Sequence, residues 1–167
     1  FRDVAAERGV QNPGSLNRGA VFCDFDNDGD LDLLAANMPP GQAREKHVPT
    51  TLFRHQLKET GAPRFENVTR AARLMRAGNA NDEKIGGVGD TAGGVGCGDY
   101  DRDGDLDIYW KNADGDIENA LFRNEGNWTF VDVTTSAGAA VQSKLKESNA
   151  QGSPNFTDVD QDGWIDL

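Results

Sequence analysis

Three short stretches of the chain carry an aspartate at every second position and then a glycine. They read DFDNDGDLD from residue 24, DYDRDGDLD from residue 99 and DVDQDGWID from residue 158, so all three follow the pattern D-x-D-x-D-G-x-x-D. We call them loops 1, 2 and 3 and number their positions from 1 to 9. Carboxylates packed this closely repel one another unless a cation neutralises them. The chemistry that this spacing predicts is therefore cation binding.

Calcium is the expected cation, because it takes about six to eight oxygen ligands, mainly from carboxylates and backbone carbonyls. Aspartates at positions 1, 3 and 5 would direct alternate side chains toward one centre, and glycine at position 6 lets the backbone reverse. Position 7 would offer its carbonyl oxygen, because in loop 3 it is a tryptophan, and aspartate at position 9 would complete the shell. We therefore expect Asp30 and Asp105 not to ligate through their carboxylates. The predicted metal residues are Asp24, Asp26, Asp28, Asp30 and Asp32 in loop 1, Asp99, Asp101, Asp103, Asp105 and Asp107 in loop 2, and Asp158, Asp160, Asp162, Trp164 and Asp166 in loop 3.

Other cations and other kinds of turn fit the loops less well. Magnesium prefers fewer protein ligands and keeps its water, and zinc would need histidine or cysteine within the loops. A helix–loop–helix calcium site needs a glutamate at position 12, which is Ala35 in loop 1 and Trp110 in loop 2. Solvated aspartate-rich turns remain the alternative for any single loop, but three loops with one spacing favour about three bound calcium ions.

The negative charge of the chain is concentrated in these loops. The formal net charge is −11, and the loops hold half of the 28 acidic residues. The rest of the sequence has slightly more basic than acidic residues and no basic stripe, so we expect no nucleic-acid partner. No run of about 18 apolar residues occurs, so we expect no membrane span in this chain.

The segments around the loops recur with them. Phenylalanine and valine stand three apart in segments that begin at Phe1, Phe65 and Phe130, and the tripeptide L-F-R recurs at 52–54 and 121–123. Short aliphatic and aromatic runs, such as GAVFC before loop 1 and LDLLAAN after it, are typical of strands. Each full unit thus predicts four short strands: before the loop, after the loop, at L-F-R and at F-x-x-V.

Four antiparallel strands per repeat form the blade of a β-propeller. The predicted fold is all-β, a partial propeller of about 2.5 blades with four antiparallel strands in each. The units run from about 1–64, 65–129 and 130–167, the last truncated, and belong to one propeller domain. The F-x-x-V segment at Phe1 is expected to be the outer strand of a preceding blade. The chain would then be part of a longer propeller or would be completed by other chains.

Three further segments carry local expectations. Residues 67–77 are the only ones that could support a helix of one or two turns. NADGD at 112–116 predicts a hairpin turn. The glycine-rich stretch at 78–96 predicts a loop that is mobile or faces a ligand.

The two cysteines stand just before the first two loops. Cys23 precedes loop 1 by one residue and Cys97 precedes loop 2 by two. An offset of one residue along a strand points two side chains to opposite faces, so we favour small buried apolar residues over a disulfide. Two cysteines do not by themselves fix the compartment.

No motif of the chain indicates catalysis. His47 and His55 are the only histidines, and neither lies in a metal-binding or nucleophile motif. A nucleophile elbow, a P-loop and a dinucleotide-binding motif in a strand–helix context are all missing. Three N-x-T triplets, at Asn67, Asn127 and Asn155, are read as coincidence because they coincide with the strand pattern. We therefore expect a protein that is not an enzyme.

The loops and their flanks resemble a known family of repeats. RGAVFCDFDNDGDLDLLAAN and LFRNEGNWTFVDVTTSAGA look like the FG-GAP/VCBS repeats of integrin-α-like β-propellers, and most like the branch found with ASPIC/UnbV domains in cartilage acidic protein relatives. The resemblance implies a calcium-stabilised propeller outside the cell, at the cell surface or in the periplasm. The long segment MPPGQAREKHVPT and the glycine-rich insertion depart from the family pattern and leave the blade geometry open.

These observations together predict a function. The chain would be a calcium-binding extracellular module for adhesion, ligand binding or scaffolding, with structural calcium in the loops. Its partner would be a protein or glycan ligand outside the cell, or copies of itself. A subunit of an extracellular filament or surface assembly is the alternative, and an accessory propeller of a larger enzyme is a third.

Overall fold

Eight short strands form two four-stranded antiparallel sheets, and the last strand of each sheet is the F-x-x-V segment that begins the next predicted unit. The computed structural model describes residues 1–12, 16–38, 50–74, 92–112, 118–141 and 152–166. Blade 1 consists of β1 (Leu16–Cys23), β2 (Asp32–Met38), β3 (Thr51–His55) and β4 (Phe65–Asn67), and blade 2 of β5 (Ala92–Gly98), β6 (Asp107–Asn112), β7 (Ala120–Asn124) and β8 (Phe130–Asp132). The strands lie side by side in sequence order in both sheets. The predicted all-β fold with blades of four antiparallel strands is confirmed.

The two blades share one register. Cys23 pairs with Asp32 at the end of the first hairpin of blade 1, and Gly98 pairs with Asp107 in blade 2. Both first strands also carry an irregularity near their start, at Asn17/Gly19 and at Ala92/Gly94. Because the registers match, loops 1 and 2 span the same gap between the first two strands of their blades. The exact unit boundaries stay a prediction.

The main core lies between the two blades. Strands β1 and β2 contact β5, and one cluster of buried side chains draws on both sheets. Phe25 at position 2 of loop 1 meets Phe130 of blade 2 edge to face, with ring centres 5.8 Å apart. Each large apolar side chain buried in this way contributes about 1.5–3 kcal/mol. Packing of one sheet against the next therefore fixes where the loops stand.

Glycines on one face of β5 let the third unit approach blade 2. A Cβ at Gly96 would lie 2.8 Å from the carbonyl oxygen of Pro154, and Cβ atoms at Gly94 and Gly98 would collide with Gly152 and the ring of Phe156. Residues 152–156 thus run directly over this face. Within residues 152–166, the third unit has an isolated bridge between Thr157 and Asp166 at the base of loop 3 and no longer strand.

Cys23 and Cys97 form a disulfide, so our expectation of two unpaired cysteines is wrong. The one-residue offset does point them to opposite faces of their sheets. Strand β1 lies against β5 of the next blade, however, and stacked sheets bring the front face of one against the back face of the other. Opposite faces are therefore the arrangement that lets the two sulfur atoms meet between blades.

Two expectations about helices also need correction, namely that residues 67–77 could form one and that no other residues could. Residues 69–73 form a turn, closed by a 2.8 Å hydrogen bond from the Ala72 N–H to the Val68 carbonyl, rather than a helix. The described residues contain two short helices elsewhere, α1 (Ala5–Arg8) and α2 (Leu57–Thr60). Each is followed by a glycine with positive φ, which stops it.

The F-x-x-V segment at Phe1 is not a strand. Its counterparts β4 and β8 are only three residues long and exist through their ladders with β3 and β7. Among the described residues no strand pairs with residues 1–4, so no ladder there keeps them extended. The glycine-rich stretch at 78–96 ends inside β5 rather than as a loop, since Ala92 begins that strand. Residues 75–77 and 78–91 lie outside the described residues, as do 113–116 of the predicted hairpin turn.

Candidate metal centres in the aspartate loops

The three loops have the same internal hydrogen bonds. The carboxylate at position 1 accepts bonds from the backbone N–H groups of positions 5 and 6. For Asp24 these bonds measure 3.1 and 3.0 Å, for Asp99 3.1 and 3.1 Å, and for Asp158 3.1 and 2.8 Å. The aspartate at position 5 accepts a bond from the N–H of position 7 in every loop, at 2.8, 2.9 and 2.7 Å. Local side-chain bonds of this kind specify a tight turn.

Two positions of each loop adopt left-handed backbone. The glycine at position 6 has φ of 88°, 94° and 86° in loops 1, 2 and 3, which explains why glycine recurs there. Position 4 has φ of 57° at Asn27, 64° at Arg102 and 62° at Gln161. A residue with a Cβ pays roughly 1–2 kcal/mol for this conformation. The loop geometry is therefore held against local strain in all three copies.

The aspartate at position 9 ties loops 1 and 2 to their blades. Asp32 is only 1% exposed, and its two oxygens accept bonds from the N–H groups of Phe25, at 3.0 Å, and His55, at 2.8 Å. Asp107 does the same with Tyr100 and Asn124, both at 2.9 Å. Burial raises the pKa of both carboxyls to about 7. A nearby cation would restore their charged form.

In loops 1 and 2 the aspartate at position 3 carries a buried oxygen without a hydrogen-bond partner among the described residues, whereas in loop 3 Asp160 Oδ1 accepts a 3.1 Å bond from the Asp162 N–H. Asp26 Oδ2 accepts a 3.0 Å bond from the Trp128 indole and lies 3.1 Å from the Arg54 guanidinium. Asp26 Oδ1 is buried and has no hydrogen-bond partner among the described residues, and the same holds for Asp101 Oδ1. Burial, followed by repulsion from Asp28, raises the pKa of Asp26, and burial with repulsion from Asp103 raises that of Asp101. A cation bound beside Asp26 or Asp101 would offset both the burial of the carboxylate and its repulsion from the neighbouring aspartate.

The carboxylates at positions 1, 3 and 9 converge in every loop. One oxygen from each lies within 4.8 Å of the others. Two ligands on opposite sides of one calcium ion stand about 4.8 Å apart, given calcium–oxygen distances of roughly 2.3–2.6 Å. The convergent sets are Asp24, Asp26 and Asp32, then Asp99, Asp101 and Asp107, then Asp158, Asp160 and Asp166.

The aspartates at position 5 do not join these sets. Asp28 instead groups with Asp26 and with Glu59 of α2. Asp103 and Asp162 each give one oxygen to the N–H of position 7. Whether position 5 ligates stays a prediction of the sequence pattern.

The side chains at position 7 turn away from the convergent carboxylates. Asp30 accepts a 3.0 Å bond from the Lys58 N–H in the first turn of α2, and its other oxygen lies 3.1 Å from His55 Nδ1. Asp105 accepts a 2.7 Å bond from the Asn27 amide. These side chains thus make contacts outside the convergent carboxylates, and ligation through the backbone carbonyl of position 7 stays a prediction.

Sequence reasoning missed three residues beside loop 1. Glu59 lies on α2, a segment inserted between β3 and β4, and it forms an ion pair with Arg54. Arg54 could have been noticed as the arginine of the recurring L-F-R. Trp128 belongs to blade 2, and no local pattern connects it with a loop one hundred residues away.

Comparison with known proteins agrees with the repeat pattern. Residues 99–167 match the sequence model of a family described as FG-GAP-like repeat. Human cartilage acidic protein 1 is 24% identical over 173 residues, an alignment that takes in 100% of this chain and 22% of that protein. The chain thus spans about a fifth of the length of this relative. The resemblance to FG-GAP-type repeats is confirmed. Among the described residues, no helix has the length and apolar content needed to cross a membrane.

Proposed function

We propose that this chain, which carries an FG-GAP-like repeat, is a calcium-binding module of an integrin-like propeller that works outside the cell. One calcium ion in each of loops 1, 2 and 3 would hold the loop and its blade in place. The role is binding or scaffolding rather than catalysis, with a protein or glycan as ligand.

The observation that carries the calcium proposal is the pair of buried, unsatisfied oxygens on Asp26 and Asp101. A buried polar atom without a partner opposes folding by about 1–3 kcal/mol, and the cost is larger when the group is charged. Each such oxygen belongs to a carboxylate that lies within 4.8 Å of two others. A calcium ion at that point would satisfy the oxygen and cancel the repulsion at once.

The residues that would hold the ion are already oriented. Carboxylates at positions 1 and 9 use part of their capacity on backbone N–H groups. A carboxylate offers about four lone-pair sites, so enough remain for a cation. The all-oxygen set favours calcium over zinc, and the number of protein ligands favours calcium over magnesium.

Two observations support a location outside the cell. Cys23 and Cys97 form a disulfide that joins the two blades, and disulfides persist mainly in oxidising compartments. The cartilage acidic protein is similar along the whole chain. Calcium sites of extracellular modules work with dissociation constants of about 10⁻⁴–10⁻³ M, so even weak loops would be filled there.

A thermal melt with and without a chelator tests this function. Binding to the folded state alone stabilises by about 2.7 kcal/mol per site at one hundred times the dissociation constant. We expect calcium to raise the melting temperature more than magnesium does, and Asp26→Asn to reduce the rise. Glu66→Gln removes a charge from β4, outside the loops, and is the matched control that keeps the full rise. The absence of any rise at millimolar calcium would refute the proposal.

A further inference from the structure

Consecutive loops touch each other through the same two positions. Asn27, at position 4 of loop 1, donates its side-chain amide to Asp105 Oδ1 at position 7 of loop 2, over 2.7 Å. Arg102, at position 4 of loop 2, places its guanidinium carbon 4.0 Å from the ring centre of Trp164 at position 7 of loop 3. The first contact is a hydrogen bond and the second a cation–π contact. The two contacts join the same loop positions through different kinds of interaction. We therefore attribute them to the way in which the blades stack and not to particular side chains.

Both ends of each contact depend on the conformation of their loops. Position 4 has left-handed backbone, with φ of 57° at Asn27 and 64° at Arg102. Position 7 donates its N–H to the aspartate at position 5, and its carbonyl is the ligand that the sequence pattern predicts. A residue at position 7 therefore serves its own loop through its backbone and the preceding loop through its side chain.

Blade 2 also reaches directly into loop 1. The Trp128 indole donates to Asp26 Oδ2 over 3.0 Å, and the Asn124 side chain donates to the Phe25 carbonyl over 2.9 Å. Arg54 of blade 1 lies 5.2 Å from the centre of the Trp128 ring and closes this contact. The candidate site in loop 1 is thus built from both sides of the boundary between blades.

We propose that the cation loops are coupled from blade to blade, so that an ion in loop 2 raises the calcium affinity of loops 1 and 3. The Asn27–Asp105 hydrogen bond carries the coupling to loop 1, and the Arg102–Trp164 contact carries it to loop 3. An ion that orders one loop fixes a contact partner of its neighbour, so the neighbour loses less freedom when it binds its own ion. This proposal rests on the calcium function above and adds that calcium joins blades as well as holding strands within them.

The chain contains its own reporters for each end of the series. Its three tryptophans lie at loop 1 (Trp128), in loop 3 (Trp164) and in the buried core (Trp110). With ¹⁵N-labelled tryptophan, each indole N–H gives a separate NMR signal, and Trp128→Phe identifies the one at loop 1. Titration with calcium alone then gives the midpoint of loop 1 from Trp128 and that of loop 3 from Trp164.

The decisive variant empties loop 2 and leaves both reporters in place. Asp101→Asn removes the carboxylate at position 3 of loop 2, which touches neither tryptophan reporter. Coupling between sites commonly amounts to about 5- to 150-fold in affinity. Since Asn27 and Arg102 are exposed, we expect the low end, with both midpoints moving to about fivefold higher calcium. If Asp101→Asn loses the dispersed indole spectrum of a folded chain, Asp99→Asn replaces it, because Asp99 belongs to the same convergent set in loop 2.

A second variant tests the route of the coupling. In Asn27→Ala, emptying loop 2 should no longer move the Trp128 midpoint but should still move that of Trp164. Gln161→Ala at position 4 of loop 3 is the matched control, because it has the same left-handed backbone and no further aspartate loop follows it in this chain. We expect it to leave both shifts intact.

The outcomes separate this inference from the proposed function. If no indole signal of the unaltered protein responds to millimolar calcium, the calcium function itself fails. If the signals respond but the Trp128 and Trp164 midpoints ignore Asp101→Asn, the loops bind independently and the coupling is refuted. Midpoints that fall to lower calcium when loop 2 is emptied would also overturn it, because the loops would then oppose one another.

Discussion

The disulfide between the blades provides the sharpest stability prediction. Cys23 and Cys97 are 74 residues apart in sequence. In the chain-entropy relation, a closed loop of that length restricts the unfolded chain by an amount equivalent to about 4 kcal/mol. Marginal stabilities of about 5–15 kcal/mol are typical of folded domains, so reduction should remove a large share of the total.

Urea unfolding in the presence of a chelator measures this effect without a contribution from calcium. With a urea dependence of about 2 kcal/mol per molar, the midpoint of the reduced protein should fall by about 2 M. Reduction keeps both sulfur atoms in place, whereas Cys23→Ala with Cys97→Ala also removes their volume. The double variant should therefore be at least as destabilised as the reduced protein. An unchanged midpoint after complete reduction would refute the idea that this bond stabilises the fold by restricting the unfolded chain.

Three further predictions concern acidity, packing and polar contacts. Burial raises the folded-state pKa of Asp32 and Asp107 to about 7, well above the pKa in the unfolded chain. The contribution of these two carboxyls to stability is therefore complete below the unfolded pKa and is lost as the pH rises through about 7. With a chelator present, the urea midpoint should therefore decrease as the pH is raised from about 5 to about 8. The gain in stability from added calcium should grow over the same range, because calcium binds the ionised carboxylates. A midpoint in chelator that increases with pH would contradict this prediction. Gly96→Ala should lower the melting temperature by the equivalent of about 1–3 kcal/mol, because the added Cβ would lie 2.8 Å from the Pro154 carbonyl oxygen. Gly152→Ala is the control and should be tolerated, because the nearest atom to its Cβ would be the Lys111 amine at 3.6 Å. Asn124→Leu should cost about 1–3 kcal/mol in the same assay, because it leaves the carbonyls of Phe25 and Leu106 without their shared donor, and an unchanged melting temperature would show that they find other partners.

Much of the fold was predictable from local repetition. The strands on either side of loops 1 and 2 are short apolar runs bounded by turn residues, and they recur together with the L-F-R and F-x-x-V segments. Registers such as Cys23 with Asp32 and Gly98 with Asp107 follow from the equal length of the two loops. A strand such as the one expected at Phe1, in contrast, needs a neighbour to pair with, and local sequence does not reveal whether one is there.

The residues of the candidate site could be predicted from the sequence, but the contacts that each of them makes could not. The spacing identified the aspartates, yet Asp32 and Asp107 give both oxygens to backbone N–H groups, which depends on where the third strand ends. The contribution of Trp128 and the pairing of Cys23 with Cys97 depend on how one blade faces the next. Such contacts join residues that are 74 or more positions apart, and no periodicity within a strand encodes them.

The central claim is that calcium occupies the aspartate loops through oxygens that are otherwise unsatisfied. Crystals grown with calcium and measured at a wavelength where calcium scatters anomalously would test it most directly. The account predicts an anomalous peak in each loop, about 2.3–2.6 Å from Asp26 Oδ1 in loop 1 and from Asp101 Oδ1 in loop 2. Loops that keep the same backbone at millimolar calcium, with ordered water on these oxygens and no anomalous peak, would contradict it.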